Sequence, residues 1–311
     1  MMFQASAPGK IILFGEHAVV YGRPAIAAPV SGVQATATVM VSAPGSGLLL
    51  ELPDIGERVP VSGVSAHLPL ARVAMLTLQM LGYERTPDWT LVLRSTIPVA
   101  SGLGSGAAAA TAIVRALAAA AGATLAPEQV STLVYESETL FHGTPSGVDN
   151  TVIAYGMPVW FVRGEPPQPF AIAEPFTLVI GDTGIPSPTS ITVGDVRRGW
   201  QAEPDRFETL FDAIGRIALA ARRAIAAGDT TEMGPLMDQN QDLLCALGVS
   251  SAELDRLCEA ARQAGALGAK LSGGGRGGNM IALARPAEAE AVAQALLTTG
   301  AARAMVTTLD S

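Results

Sequence analysis

Four stretches of this 311-residue chain set charged or hydroxyl side chains beside glycines. In the first, Ala7-Pro8-Gly9-Lys10 leads into an apolar run and then Gly15-Glu16-His17. A lysine opening an apolar strand is a poor choice for packing and a good one for meeting an anion. In the second, Gly102-Leu103-Gly104-Ser105-Gly106-Ala107 lies between a strand pattern and an alanine-rich helix pattern. Glycines let backbone N–H groups approach an anion, and a helix start adds free donors and a positive dipole end, so a phosphate fits there. In the third, Glu138 and Asp149 flank His142-Gly143-Thr144-Pro145-Ser146-Gly147-Val148. Such a pair can divide the work, one carboxylate ligating a metal and the other handling a hydroxyl. The fourth, Lys270-Leu271-Ser272 followed by Gly273-Gly274-Gly275-Arg276-Gly277-Gly278, reads as a loop over a ligand. Each stretch alone has a plainer reading, as a tight turn, a solvated charge, a cap or a surface hairpin. Together they supply the parts of phosphoryl transfer: a phosphate cradle, a cation, a metal ligand and a carboxylate near the attacking oxygen.

Other chemistries fit less well. Gly102 to Ala107 formally matches G-x-G-x-x-A, but a helix pattern follows the helix, and the next acid, Glu128, lies inside it. A dinucleotide site needs a second strand ending in an acid. Gly9-Lys10 lacks the spacing of a Walker loop, and the protein-kinase motifs H-R-D and D-F-G are absent. The 3 histidines, His17, His67 and His142, have no zinc-ligand spacing, and no G-x-S-x-G is present. The 2 cysteines, Cys245 and Cys258, read as buried thiols in a reducing compartment. A formal net charge of -8 argues against broad nucleic-acid binding. No apolar run is long enough to span a membrane, and the run 11–14 is shorter than a signal-peptide core, so a cytoplasmic protein is expected.

The elements that must position these residues mix strands and helices without βαβ alternation, which predicts an α+β fold. Strands are predicted at 10–14, 25–30, 33–41, 48–52, 89–96, 157–162, 176–180, 267–271, 280–284 and 304–309. Helices are predicted at 69–81, 105–121, 127–141, 205–227, 231–247, 251–264 and from Pro286. The length calls for two domains, divided at 1–175 and 176–311, where a strand follows a proline-rich segment. The chain has 33 glycines where average usage gives about 22, and the excess gathers in the four stretches.

In these motifs the sequence resembles the GHMP kinase superfamily and, within it, the mevalonate kinases. APGKIILFGEHAVVYG resembles the first family motif, IPVASGLGSGAAAA the ATP loop, HGTPSGVDN the substrate-side segment and KLSGGGRGG the third motif. They stand in family order over essentially the whole chain. The resemblance implies an N-terminal domain like ribosomal protein S5 domain 2 and a ferredoxin-like C-terminal domain. It implies ATP and Mg²⁺ as cofactors, mevalonate as the phosphorylated partner, and a possible homodimer, with no nucleic acid or membrane. It implies Asp149 as the catalytic carboxylate and Lys10 as the lysine that stabilises phosphoryl charge. Ser95, Pro98, Ser101, Gly102, Leu103, Gly104, Ser105, Gly106 and Ala107 match ATP contacts. Glu16, His17, His142, Ser146, Gly147 and Thr189 match substrate-side positions and Glu138 the metal ligand, with Ser105 or water expected to replace the family's metal-ligating serine at Gly106. The chain departs from the family pattern at Gly106, where a serine is usual, at Thr144, where an asparagine is usual, and at Arg276, where a glycine is usual. Arg276 is expected to face phosphate and offset the hydroxyl lost at Gly106. Phosphomevalonate or another small alcohol as substrate, and a non-catalytic sensor on the same fold, are the competing readings.

Overall fold

β1 (Met2–Phe14) and β2 (Ala25–Val41) are both longer than the apolar runs that predict them. Gly32 does not interrupt β2, because Met305 lies over it: a Cβ there would stand 3.2 Å from the Met305 sulfur. The structure, a computed structural model, describes residues 2–98, 101–142, 145–187 and 189–310, without the side chains of Phe141 and His142. The chain forms two compact units that interleave in sequence. One comprises Met1–Gly9, Val33–Pro98 and Gly104–Gly156, the other Lys10–Gly32, Val99–Leu103 and Met157–Ser311. The boundary predicted at 175/176 falls where the second sheet begins.

In the first unit the second half of β2 pairs antiparallel with β5 (Trp89–Ser95). β5 pairs parallel with β3 (Leu48–Leu52), and β3 antiparallel with β4 (Glu57–Val61), a strand the sequence reading missed. Ala35, Ala37 and Val39 are buried and alternate with Thr36 and Thr38, as one covered sheet face requires. α1 (Pro69–Met80), α3 (Pro127–His142) and α4 (Val148–Tyr155) pack around α2 (Ser105–Ala120). α2 is buried on nearly every side from Ala107 to Ala118, and its alanines let the neighbouring helices approach closely.

The second unit holds a four-stranded antiparallel sheet made of β8 (Phe176–Asp182), β9 (Gly268–Ser272), β10 (Asn279–Ala284) and β11 (Arg303–Leu309). The spatial order β11-β8-β10-β9, with helices between β8 and β9 and between β10 and β11, is the ferredoxin-like arrangement. The helices are α5 (Thr189–Ala202), α6 (Pro204–Ala227), α7 (Thr230–Ala246), α8 (Ala252–Gln263) and α9 (Ala289–Thr299). Their buried faces form one core with the sheet, including Phe211, Leu244, Leu254, Leu271, Met280 and Leu296. The same unit contains β6 (Val159–Phe161), which pairs with the first half of β2, and β7 (Gln168–Pro169). α7 crosses β9 at a glycine pair: a Cβ on Gly268 would lie 2.1 Å from the Gly234 carbonyl oxygen. That close approach brings polar side chains of α7 to the strand that ends in the third glycine loop. Among the described residues no helix is long and apolar enough to cross a membrane.

Candidate active site

In the first unit Gly104 to Ala107 and Asp149 sit at helix starts. Gly104, with φ 72°, takes the left-handed conformation that precedes α2, and its carbonyl accepts from Ala108 N–H at 2.9 Å. The N–H groups of Ser105, Gly106 and Ala107 then occupy the first turn, where the helix supplies no acceptor, and no acidic residue lies there. This geometry suits an anion. The Ser95 hydroxyl accepts from Ile97 N–H at 3.1 Å, and Ser95 N–H donates to Asp54 at 2.8 Å. Ser95 thereby shapes the turn that leads to half-buried Pro98 and the glycine loop.

Asp149 lies in the first turn of α4, an element the sequence reading took for a turn before an apolar run. The signal was there: Gly147 (φ 90°) and Gly156 (φ 67°) bracket the helix as caps. Thr151 donates to the Gly147 carbonyl at 2.6 Å, and the Ser146 hydroxyl accepts from Val148 N–H at 3.4 Å. Next to Asp149, the Asn150 amide donates to the Ser131 carbonyl at 3.2 Å and to its hydroxyl at 2.9 Å. Ser131 lies on α3, which carries Glu138 two turns further along the same face. Glu138 is only 3% exposed. The side chain expected at His142, and residues 143–144, lie outside the described residues.

In the second unit Lys10 N–H donates to the Leu103 carbonyl at 2.9 Å, and the Lys10 side chain is buried. The Ser101 carbonyl accepts from the Asn279 amide, and a Cβ on Gly278 would stand 3.1 Å from it. The start of the glycine loop, with Gly102 at φ 86°, is thus held by β1 on one side and by the end of the third motif on the other.

Glu16 is 1% exposed, and protein groups engage both its oxygens. Lys270, itself fully buried, forms an ion pair with Oε1, and the Asn240 amide donates to Oε2 at 3.3 Å. Burial pushes the Lys270 ammonium below its usual range, and Glu16 opposes the shift. The sequence reading gave Lys270 and Asn240 no role. A lysine inside the otherwise apolar run 267–271 was the available signal.

His17 has φ 60° and ψ −48°, a conformation rare outside glycine. Its Nε2 lies 3.0 Å from the Gly274 carbonyl, which only accepts, so Nε2 carries the proton. Thr189, exposed at the start of α5, reaches the same glycine: a Cβ on Gly274 would stand 2.8 Å from the Thr189 hydroxyl. Two of the predicted substrate-side residues therefore meet at Gly274. α5 itself was unpredicted, because Thr189, Ile191, Thr192, Val193, Gly194 and Gly199 are poor helix formers.

Burial lowers the His17 pKa to about 4; the Gly274 bond opposes the shift and the Arg276 charge adds to it. The imidazole is neutral at pH 7. Between about 4 and the unfolded value of ~6.5 the unfolded chain binds the extra proton, so stability falls as pH drops through that window. Thermal melts from pH 7 to pH 4 are expected to show a loss that His17→Gln lacks. Equal pH slopes for both proteins would contradict the neutral buried state.

Arg276 departs from expectation. Its guanidinium forms an ion pair with Asp195 on α5 and donates to the Gly248 carbonyl at 3.0 and 3.1 Å, so these groups take the donors expected for a phosphate. Its φ of 55° is left-handed. Arg276→Gly is expected to shift Tm by less than about 3 °C, because relief of the left-handed backbone offsets loss of a half-exposed pair. A melt lowered by 8 °C or more would show that the clamp dominates. The cysteine expectation holds for Cys258, which is buried with its thiol pushed up to about 12 by burial. It fails for Cys245, which is exposed near the C-terminal end of α7.

The GHMP kinases N terminal domain family matches residues 70–157, and the GHMP kinases C terminal family residues 221–302. A mevalonate kinase of Thermococcus sibiricus is 36% identical over 93% of this chain and 91% of its own length. One of Pyrococcus horikoshii is 37% identical over 95% of this chain and 92% of its own. The chain belongs to the mevalonate kinase family of GHMP kinases. The crystal structure of L. major mevalonate kinase in complex with R-mevalonate matches with TM-score 0.86 at 31% identity, over 99% of this chain and 95% of that one. The Methanococcus jannaschii mevalonate kinase shares the fold, with TM-score 0.87 at 22% identity. Against this mevalonate kinase frame the third motif of the present chain does unexpected work. Its side chains and carbonyls hold residues of the first motif: Lys270 pairs with Glu16, Ser272 with Ile12, and Gly274 with His17.

Proposed function

We propose that this protein transfers the γ-phosphoryl group of ATP to the C5 hydroxyl of mevalonate. The observation that carries the reading is 36–37% identity to mevalonate kinases over more than nine-tenths of the chain. The α2 N-terminus, with the N–H groups of Ser105, Gly106 and Ala107 in a turn free of acids, is the phosphate cradle of this reading. Ser95, Pro98 and Gly104 in the first unit, and Ser101, Gly102 and Leu103 in the second, are the remaining nucleotide-side residues of this reading.

Lys10 places its ammonium where charge develops on the transferring group. Asp149 orients the attacking hydroxyl and accepts its proton late, because a loose transition state needs little early deprotonation. His17, neutral and with Nε2 held by Gly274, and Thr189 are the alcohol-side residues of the second unit in this reading, and Ser146 and Gly147 those of the first. Glu16 acts there through its buried contacts with Lys270 and Asn240.

Mg²⁺ fits the donor set. Glu138 and Ser105 offer a carboxylate and a hydroxyl in one unit, both hard oxygen donors. Among the described residues no group of three or more acidic, His or Cys side chains gathers. Mg²⁺ is commonly bound by one or two protein ligands, with phosphates and water completing its shell. When bound, Mg²⁺ neutralises charge on the β- and γ-phosphates. Gly106 offers no hydroxyl, so Ser105 is the loop's remaining side-chain donor. The division at 175/176 into domains goes with this reading, since the two matched families fall on either side of it.

A coupled ADP-release assay with mevalonate, phosphomevalonate, homoserine and galactose tests the proposal. Turnover with mevalonate at least tenfold above the others is expected. Preference for another alcohol, or ATP binding without turnover on any, would overturn it.

A further inference from the structure

The outer edge of β1 is closed by isolated groups. In an extended strand the N–H groups of alternate residues point to one side. Lys10 and Ile12 are such a pair. The Leu103 carbonyl takes the Lys10 N–H at 2.9 Å. The Ser272 hydroxyl takes the Ile12 N–H at 3.1 Å and donates to the Ile12 carbonyl at 2.9 Å. One side-chain oxygen thus substitutes for a neighbouring strand, satisfying both backbone groups of a residue that is 8% exposed.

Ser272 is itself 5% exposed and is the last residue of β9. Its backbone is held by the sheet, opposite Asn279 of β10. Lys270, two residues earlier on the same face, is anchored to Glu16, two residues past the end of β1. β9 therefore grips the first motif at two points, one on either side of Phe14. Of the two attachment points on the first motif, Ile12 is the nearer in sequence to Lys10.

We propose that Ser272 is a positioning residue for Lys10. Its hydroxyl sets the height of β1 against β9 and so fixes where the Lys10 ammonium stands. This rests on the reading of Lys10 as the group that meets the transferring phosphoryl. A displacement of about 1 Å at such a group can cost on the order of 100-fold in rate. A residue that acts only through another also leaves a particular trace: once the second residue is removed, removing the first changes nothing more.

The test is a double-mutant cycle on the full chain, with kcat, KM for each substrate and Tm measured for every protein. Ser272→Ala is expected to lower kcat by about 30- to 100-fold while KM for ATP stays within about threefold. Ser272→Thr, which keeps the hydroxyl, is expected to stay within about threefold of the parent kcat. Lys10→Met/Ser272→Ala is expected to match Lys10→Met alone. If Ser272→Ala does not fold, Ser272→Cys, of similar size and a weak hydrogen-bonding partner, takes its place with the same expectation. The proposal is overturned if Ser272→Ala keeps kcat within threefold. It is also overturned if its loss of kcat persists in full on the Lys10→Met background, which would mark a general structural effect. If Lys10→Met itself turns over like the parent, it is the role of Lys10 that fails, a separate result.

Discussion

Asp149→Asn is expected to lower kcat by about a thousandfold while ATP affinity changes by less than about threefold. The substitution keeps size and shape. Asparagine is well tolerated in a first helical turn, so α4 and its Asn150–Ser131 anchor remain. On the proposed reading, what is lost is a group that can take the alcohol proton as the new O–P bond completes. The phosphate cradle lies on another element, the start of α2, and keeps its N–H donors. Steady-state kinetics and titration with a non-hydrolysable ATP analogue separate the two quantities. A variant turning over at nearly the parent rate would remove Asp149 from the chemistry. Equal losses in kcat and nucleotide affinity would make it a binding residue. Lys10→Met belongs to the same argument: if its ammonium meets the transferring phosphoryl, its loss costs about 3–4 kcal/mol of transition-state stabilisation. That is several hundredfold in kcat.

Lys270→Met is expected to be strongly destabilising. It removes the cation from a pair in which both side chains are fully buried. Glu16 would keep only the Asn240 amide for its charge. Breaking a buried pair from one side costs about 3–5 kcal/mol, because the remaining charge has no compensation. For a chain of this size that lowers Tm by roughly 5–8 °C. The double variant Glu16→Gln/Lys270→Met is expected to regain more than half of the loss, since a neutral amide tolerates the apolar site better than a lone carboxylate. Thermal and urea melts of the single and double variants decide it. A single variant as stable as the parent, or a double variant no better than the single, would refute the pair's structural weight. The loss also bears on the alcohol side, because the neighbouring His17 is held at φ 60°. A conformation of that kind persists only where its surroundings enforce it.

Much of the site was legible because its signals are local. A glycine before a helix start is a local signal, and Gly104 before α2 reads directly as one. The α+β class follows from the order of short apolar runs and amphipathic helices, whereas the ferredoxin-like half was implied by the family resemblance. Elements were missed where local preference conflicts with the final state. α5 is made of β-branched residues and glycines and is held by packing at Thr192 and Val196. α4 is eight residues long and is carried by its caps and by Asn150. Arg276 was read from family pattern toward phosphate, whereas Asp195, 81 residues away in the chain, decides its direction.

Taken alone, the sequence determined which groups are cations, acids and hydrogen-bond donors, and which lie at helix starts. Those properties depend on residue type and on neighbours a few positions away. Which of these groups is held, and by what, was decided only by the tertiary structure. Glu16 and Lys270 lie 254 residues apart, and Ile12 and Ser272 lie 260 apart. No local rule links such positions. They meet because β9 must bury its apolar side chains under α7 and α8, and burial at that depth leaves each polar group only the partners that the packing brings to it.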